Sequence, residues 1–227
     1  MSRIRAVVFD IGETLVNETR HWSAVARYAG VPELTLMGVL GGLIERREHH
    51  RSLFGYLQIE SIDPNVFGYQ IEARDLYPDA MPVLRQLKAH GYLLGTTGNQ
   101  PTGAAEQIDG LGLPFDLVGS SAFWGVSKPD PAFFERIVRG LEVEPGEVLY
   151  VGDRLDLDVL PALDYGMHAV FIRRGPWGHL QATWPEARQV RYQVESLAGI
   201  IPIIDRINAQ AADLSPAPPE SSSIGCA

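Results

Sequence analysis

The sequence predicts an α/β fold, a doubly wound parallel sheet with a small α-helical insert after the first strand. Three observations carry this. Five short apolar, β-branched runs recur along the chain, each closing on a polar or glycine cluster. Helix-like segments separate the later runs, and strands alternating with helices imply parallel pairing. Between the first two runs the apolar residues recur at helical spacing and no convincing strand is visible.

The first strand is Ile4 to Phe9. From Asn17 to Asp75, Trp22, Val25, Ala26 and Ala29, then Leu36, Val39, Leu40, Leu43 and Ile44, mark a helical insert. A helix over Pro78 to His90, closed by Gly91, leads to a strand at Tyr92 to Thr96, and Phe115 to Val118 forms the next strand. Pro131 to Arg139, closed by Gly140, is a helix, followed by strands at Val148 to Val151 and His168 to Ile172. From Ala211 the chain is rich in Ser, Pro and Ala, and it predicts a disordered tail. The expected division is thus an α/β core of residues 1–16 and 76–210, a helical insert of residues 17–75 and a tail of residues 211–227.

A length of 227 residues with 45% hydrophobic content supports a real core. The net charge of -9 and a pI near 5.1 oppose binding to nucleic acid or to an anionic membrane. Cys226 is the only cysteine, which excludes an intrachain disulfide and fits a reducing compartment. The N-terminal apolar run is too short for a signal peptide or a membrane span, so a soluble, cytoplasmic protein is expected.

Ligands of a parallel α/β sheet sit beyond the carboxyl ends of its strands. The residues there are Asp10 in AVVFDIGETL, Thr97 with Gly98 and Asn99 in LLGTTGN, Lys128 in GVSKPDPAFF and Asp153 in VLYVGDRLDLD. Asp10 can act as a nucleophile or as a metal ligand. Asp153, with Asp156 and Asp158 beyond it, adds carboxylates that repel one another until a cation joins them. An all-oxygen set without His or Cys suits Mg²⁺ rather than Zn²⁺. Lys128, framed by Pro129 and Pro131, can bind a phosphate as a point charge and hold a neighbouring carboxylate ionised. Thr97 supplies a hydroxyl, and the backbone N–H groups of Gly98 and Asn99 can cradle phosphate oxygens at a helix start. Carboxylate, metal, cation and hydroxyl together describe phosphoryl transfer.

Four segments in order, FDIGETL, LLGTTGN, KPDPAFF and VGDRLDLDV followed by ALDYGM, resemble the motifs of the haloacid dehalogenase-like hydrolase superfamily, small helical-cap branch, across residues 6 to 172. The resemblance implies that Asp10 is the nucleophile, that Asp10, the Gly12 carbonyl and Asp153 bind Mg²⁺ with Asp158 nearby, and that Lys128 and Thr97 bind the transferring phosphate. It implies a phosphatase acting on a small phosphorylated metabolite through an aspartyl-phosphate, under a cap that closes over the substrate.

One position departs from the family pattern. Its phosphatases usually carry a second aspartate two residues after the nucleophile, as general acid and base, where this chain has Gly12. Glu13 is the nearest replacement. The second motif also aligns in two ways: on Asn99, which puts Gly98 at the usual hydroxyl position, or on the strand's hydroxyls, which selects Thr97 and is preferred.

Competing functions are a 2-haloacid dehalogenase or another hydrolase of the same scaffold, and a catalytically weak ligand- or partner-binding relative motivated by Gly12. Dehalogenases of the family usually have an aromatic residue at that position, and its phosphonate hydrolases need a cap lysine, which residues 17–75 do not contain. A signalling receiver domain is shorter and keeps its phosphorylated aspartate on a later strand.

Asp156 reads as a solvated loop charge or cap, and the mixed-sign run Glu45 to Arg51 as a solvated helix face. His49 and His50 are adjacent and make a poor metal pair. Trp177 either packs on the edge of the core or rims the cleft.

Overall fold

The computed structural model describes residues 2–59 and 69–213. Strands β1 (Ala6–Phe9), β2 (Leu93–Gly98), β3 (Leu117–Ser120), β4 (Val148–Gly152), β5 (His168–Ile172) and β6 (Gln193–Val194) form one parallel sheet ordered β3-β2-β1-β4-β5-β6. The chain winds outward from β1 to β3, returns to β4 and winds the other way. The direction therefore switches between β1 and β4, where an open α/β sheet parts its loops to form a crevice.

Strict alternation along the strands builds the two layers. Ala6, Val8, Tyr150 and Phe171 face one side with Phe133, Phe134 and Ile137 of helix α7 (Pro131–Leu141). Val7, Phe9, Val151 and Ile172 face the other with Val83, Leu84 and Leu87 of helix α4 (Ala80–Ala89) and with Ile200, Ile204 and Ile207 of helix α10 (Ile200–Asp213). Both faces being covered explains why the strands read as continuous apolar runs. Each buried Val, Leu, Ile or Phe side chain among them contributes roughly 1.5–3 kcal/mol relative to exposure.

Between β1 and α4 lie α1 (Thr19–Ala29), α2 (Glu33–Glu45) and α3 (Ser52–Tyr56), with no strand among the described residues of that stretch. The chain leaves and re-enters the sheet side by side: Val16 pairs antiparallel with Leu76, and the Asn17 amide donates to the Asp75 carbonyl at 2.7 Å. Leu36, Leu40 and Leu43 of α2 are buried against the core. Arg47 just beyond α2 forms a bidentate pair with Glu186 at 2.8 and 3.0 Å.

Three details differ from the sequence expectation. β6 has two residues, one of them the exposed Gln193, too short to show periodicity, yet it pairs with Phe171 and Ile172. Gly140 does not end α7, which runs on to Leu141 and is capped by Glu142 in the left-handed region (φ 54°). A Cβ on Gly140 would meet Leu117 Cδ1 at 2.9 Å, so this glycine lets the helix approach β3. The C-terminal helix extends past the expected tail start, with Ala211 buried; residues 214–227, including Cys226, lie outside the described residues. No described helix is long and apolar enough to cross a membrane.

Candidate active site

Asp10 leaves the end of β1 with its amide donating to the Val151 carbonyl at 2.8 Å, which locks it beside the end of β4. Asp153 follows β4 directly, and Asp158 lies on the π-helical turn Leu155–Val159. One carboxylate oxygen from each of these three buried residues lies within 4.8 Å of the others. Gly152 makes this possible, because a Cβ there would stand 2.3 Å from Asp158 Oδ2 and 2.4 Å from its Cβ.

Lys128 reaches into the cluster from the turn between α6 (Ser121–Trp124) and α7. Its Nζ donates to Asp10 Oδ1 at 2.6 Å, Asp158 Oδ1 at 2.5 Å and the Tyr150 hydroxyl at 3.2 Å. Burial alone would lower the ammonium's pKa, but the charges of Asp10 and Asp158 outweigh it and hold the group well above its usual range. Asp158 Oδ2 accepts from the Arg154 amide at 3.0 Å, so both its oxygens have protein partners.

Thr97 Oγ1 meets the Tyr150 hydroxyl at 3.3 Å, one step behind Lys128. Position 98 is the one that faces the nucleophile, since a Cβ on Gly98 would lie 3.4 Å from Asp10 Oδ1. Residues 97 and 98 point to opposite faces of the strand, Thr97 toward Tyr150 and position 98 toward Ile11 and the Asp10 carboxylate. Asn99 spends its side chain on the backbone of Lys128, donating to its carbonyl at 2.9 Å and accepting from its amide at 2.8 Å. The helix expected to start here begins later, at Ala104 in α5 (Ala104–Asp109).

Three carboxylates against one ammonium leave the cluster short of positive charge. Asp153 is raised well above the ordinary carboxylate range, first by burial and then by the charges of Asp10 and Asp158. Asp158 is raised to about 6, with burial the largest cause and Lys128 opposing it. An all-oxygen, charge-deficient site on strand ends fits a hard divalent cation such as Mg²⁺.

Glu13 is in the left-handed region (φ 51°) and buried. Its Oε1 accepts from the Glu18 amide at 2.9 Å and its Oε2 from the Tyr77 hydroxyl at 2.5 Å, so both oxygens hold the entry to the helical insert. Glu18 itself was not singled out from the sequence. Its carboxyl is turned inward, raised to about 8 by burial first and then by Glu13 and Asp10, and Oε2 accepts from Trp22 Nε1 at 3.2 Å.

Aromatic and cationic groups from both layers meet near this point. Trp177, in helix α9 (Gly175–Gln181), is buried, with its ring 5.9 Å from Trp22, 6.2 Å from His50 and 5.3 Å from the Arg154 guanidinium. Asp156 is held by Arg154 at 3.0 and 2.6 Å and by Gln181 at 2.9 Å while its side chain keeps 37% exposure, so it is a partly solvated loop charge with fixed partners. His49 and His50 stack at 4.4 Å, and the metal-competent cluster found among the described residues contains neither. Arg46, Arg47 and Glu45 of the mixed-sign run are exposed, as a solvated face requires.

A family model described as haloacid dehalogenase-like hydrolase matches residues 4–166. The glyceraldehyde 3-phosphate phosphatase of Pyrococcus furiosus is 29% identical over 235 residues, covering 92% of this chain and 96% of its own length. Its namesake from Methanopyrus kandleri is 33% identical over 171 residues, covering 73% of this chain and 63% of its own. A solved structure, an HAD phosphatase from Thermococcus onnurineus, has a TM-score of 0.60 at 25% identity and covers 88% of this chain and 98% of its own. With motif order, strand-end geometry and family model in agreement over most of its length, the chain belongs to the haloacid dehalogenase-like hydrolases.

Proposed function

We propose that this protein is a Mg²⁺-dependent phosphatase that hydrolyses a small phosphorylated metabolite through an aspartyl-phosphate on Asp10. The observation that carries the reading is the meeting of Asp10, Asp153 and Asp158 at the β1/β4 switch point, with the buried Lys128 ammonium paired to Asp10 and Asp158. Asp10, the Gly12 carbonyl and Asp153 would hold the metal, with Asp158 positioning Lys128 beside it. Bound there, Mg²⁺ supplies charge neutralisation for the phosphoryl oxygens.

An Asp10 carboxylate oxygen attacks phosphorus as the ester P–O bond breaks, and the departing oxygen takes up a proton. Water then attacks the acyl phosphate, releases inorganic phosphate and restores Asp10. Lys128 sets its positive charge against the transferring group. The backbone N–H groups of Gly98 and Asn99 would bind the phosphoryl oxygens, a role supported by the position of residue 98, whose Cβ would lie 3.4 Å from Asp10 Oδ1. Helices α1 to α3 act as the cap that excludes water during transfer.

The names of the relatives make glyceraldehyde 3-phosphate the first metabolite to test. A net charge of -9 and a lone cysteine support a cytoplasmic protein that does not bind nucleic acid. The deciding experiment is Mg²⁺-dependent hydrolysis of para-nitrophenyl phosphate by the wild type and by Asp10→Asn, with a metabolite panel to follow. The reading fails if the wild type shows neither turnover nor phosphate on Asp10.

A further inference from the structure

The position that sets this chain apart from its family's usual pattern is Gly12, and the structure fills the space beside it. A Cβ placed on Gly12 would stand 2.3 Å from Glu18 Oε1, 2.8 Å from its Cδ and 3.4 Å from its Oε2. The carboxyl of Glu18 thus occupies the volume where a side chain from residue 12 would begin, and the two are mutually exclusive. A carboxyl lost from one point of the backbone is replaced in space by one from the first turn of the insert.

Glu18 is held there on two sides. Trp22 Nε1 donates to Oε2 at 3.2 Å, which leaves Oε1 as the oxygen turned to residue 12. Glu13 Oε1 accepts from the Glu18 amide at 2.9 Å, and Tyr77 fixes the other Glu13 oxygen. Glu13 is therefore a positioning residue for Glu18, whereas Glu18 carries a carboxyl with a reach toward the nucleophile's neighbour.

We propose that Glu18 is the general acid and base of the hydrolysis, replacing in space the aspartate that Gly12 lacks. The inference rests on the phosphatase reading given above. In the first half-reaction the Glu18 carboxyl gives its proton to the alcohol oxygen as the bond from that oxygen to phosphorus breaks and the Asp10–phosphorus bond forms. In the second, the Glu18 carboxylate takes a proton from the attacking water as the Asp10–phosphorus bond breaks. Phosphate leaves, and Glu18 is again protonated.

The test compares the intact wild type with Glu18→Gln and Asp10→Asn on para-nitrophenyl phosphate, whose leaving group needs no proton, and on an alkyl phosphate, whose leaving group does. Glutamine can still accept from Trp22, so the local fold is kept. Glu18→Gln is expected to release a stoichiometric burst of nitrophenolate, to retain phosphate on Asp10 detectable by mass spectrometry, and to lose ~10²–10⁴ in steady-state turnover. With the alkyl phosphate the burst itself should disappear. Asp10→Asn should give no burst with either ester, and a wild type without turnover or phosphate on Asp10 sinks the phosphatase reading instead.

Wild-type turnover of the alkyl phosphate by Glu18→Gln, or loss of its aryl burst while the protein stays folded, would overturn the role of Glu18. A second pair checks the shared volume. Gly12→Asp/Glu18→Ala should hydrolyse the alkyl phosphate faster than Glu18→Ala, because truncating residue 18 clears room for a carboxyl from residue 12. Equal rates in these two variants would count against the replacement.

Discussion

Replacing Lys128 with methionine keeps most of the side chain's length while removing its charge. The side chains it serves are almost sealed from solvent: Lys128 is 3% exposed, Asp10 12% and Asp158 1%, at 2.6 and 2.5 Å. Removing one partner of a buried ion pair costs about 3–5 kcal/mol, because the other charge is left without compensation. Here two carboxylates lose the same partner, beside an Asp153 already pushed up by burial and by its neighbours. They share that partner, so the costs do not simply add. At about 2–4 °C per kcal/mol for a chain of this size, the melting temperature should fall by about 6–20 °C. The assay is thermal unfolding in chelator, repeated from pH 8 to pH 5. In the variant the folded carboxylates bind protons more readily than the unfolded ones, so stability rises as pH falls and the deficit narrows toward pH 5. A wild-type melting temperature at pH 8, or a deficit that widens on acidification, would refute the electrostatic account.

Gly152→Ala should sharply reduce activity, since its Cβ would collide with Asp158 at 2.3–2.5 Å and push that carboxylate off Lys128; phosphate incorporation on Asp10 reads this directly. His50 is held neutral, its pKa lowered to about 3 by burial and then by His49 and nearby arginines. The unfolded chain takes up a proton near pH 6.5 that the fold refuses, so stability should drop as pH falls from 6.5 toward 3, by at most about 1.4 kcal/mol per pH unit. His50→Gln should flatten that limb in urea titrations, and an unchanged slope counts against it. Arg47→Ala removes an exposed ion pair with Glu186 and a contact 4.2 Å from the Trp184 ring, so it should cost less than about 2 kcal/mol; a larger loss would mean that the helical insert depends on this one tie.

The sheet was legible because its strands are buried on both faces, which writes them as unbroken apolar runs with a chemical residue at each end. Asp10 and Asp153 could be read for the same reason, since backbone pairing alone sets them side by side. Lys128 was legible as the cation of its segment, while the rest of its surroundings was not. Tyr150 reads as one more core aromatic in VLYV, yet its hydroxyl bridges Thr97 and Lys128. Hydroxyl chemistry favours Thr97 in the sequence, whereas only the folded chain shows Thr97 turned to Tyr150 and position 98 beside Asp10. Arg154, Trp22 and Glu18 matter through partners that are distant in sequence or lie on another layer, and no spacing rule marks them.

Glycines link these points. Gly152 has Asp158 over it, Gly12 has Glu18, and Gly98 faces Asp10, so each absent Cβ is matched by a carboxylate in or near its volume. The three are not equivalent. At Gly152 the obstructing atoms include the Cβ and Cγ of a short aspartate tied to its own backbone, which cannot swing aside. At Gly12 they are the far end of a glutamate, which can retreat without unfolding anything, and at Gly98 the Asp10 approach at 3.4 Å is ordinary contact, the tighter neighbours being Gln100 Cγ at 3.0 Å and Ile11 Cδ1 at 3.2 Å. Backbone integrity therefore depends most on Gly152, whereas the consequence of filling Gly12 is chemical: the displaced group is the carboxyl that stands in for a residue the first motif lacks. A glycine in a catalytic motif can thus mark a functional group supplied from elsewhere in the fold, and the distance from its missing Cβ identifies the supplier.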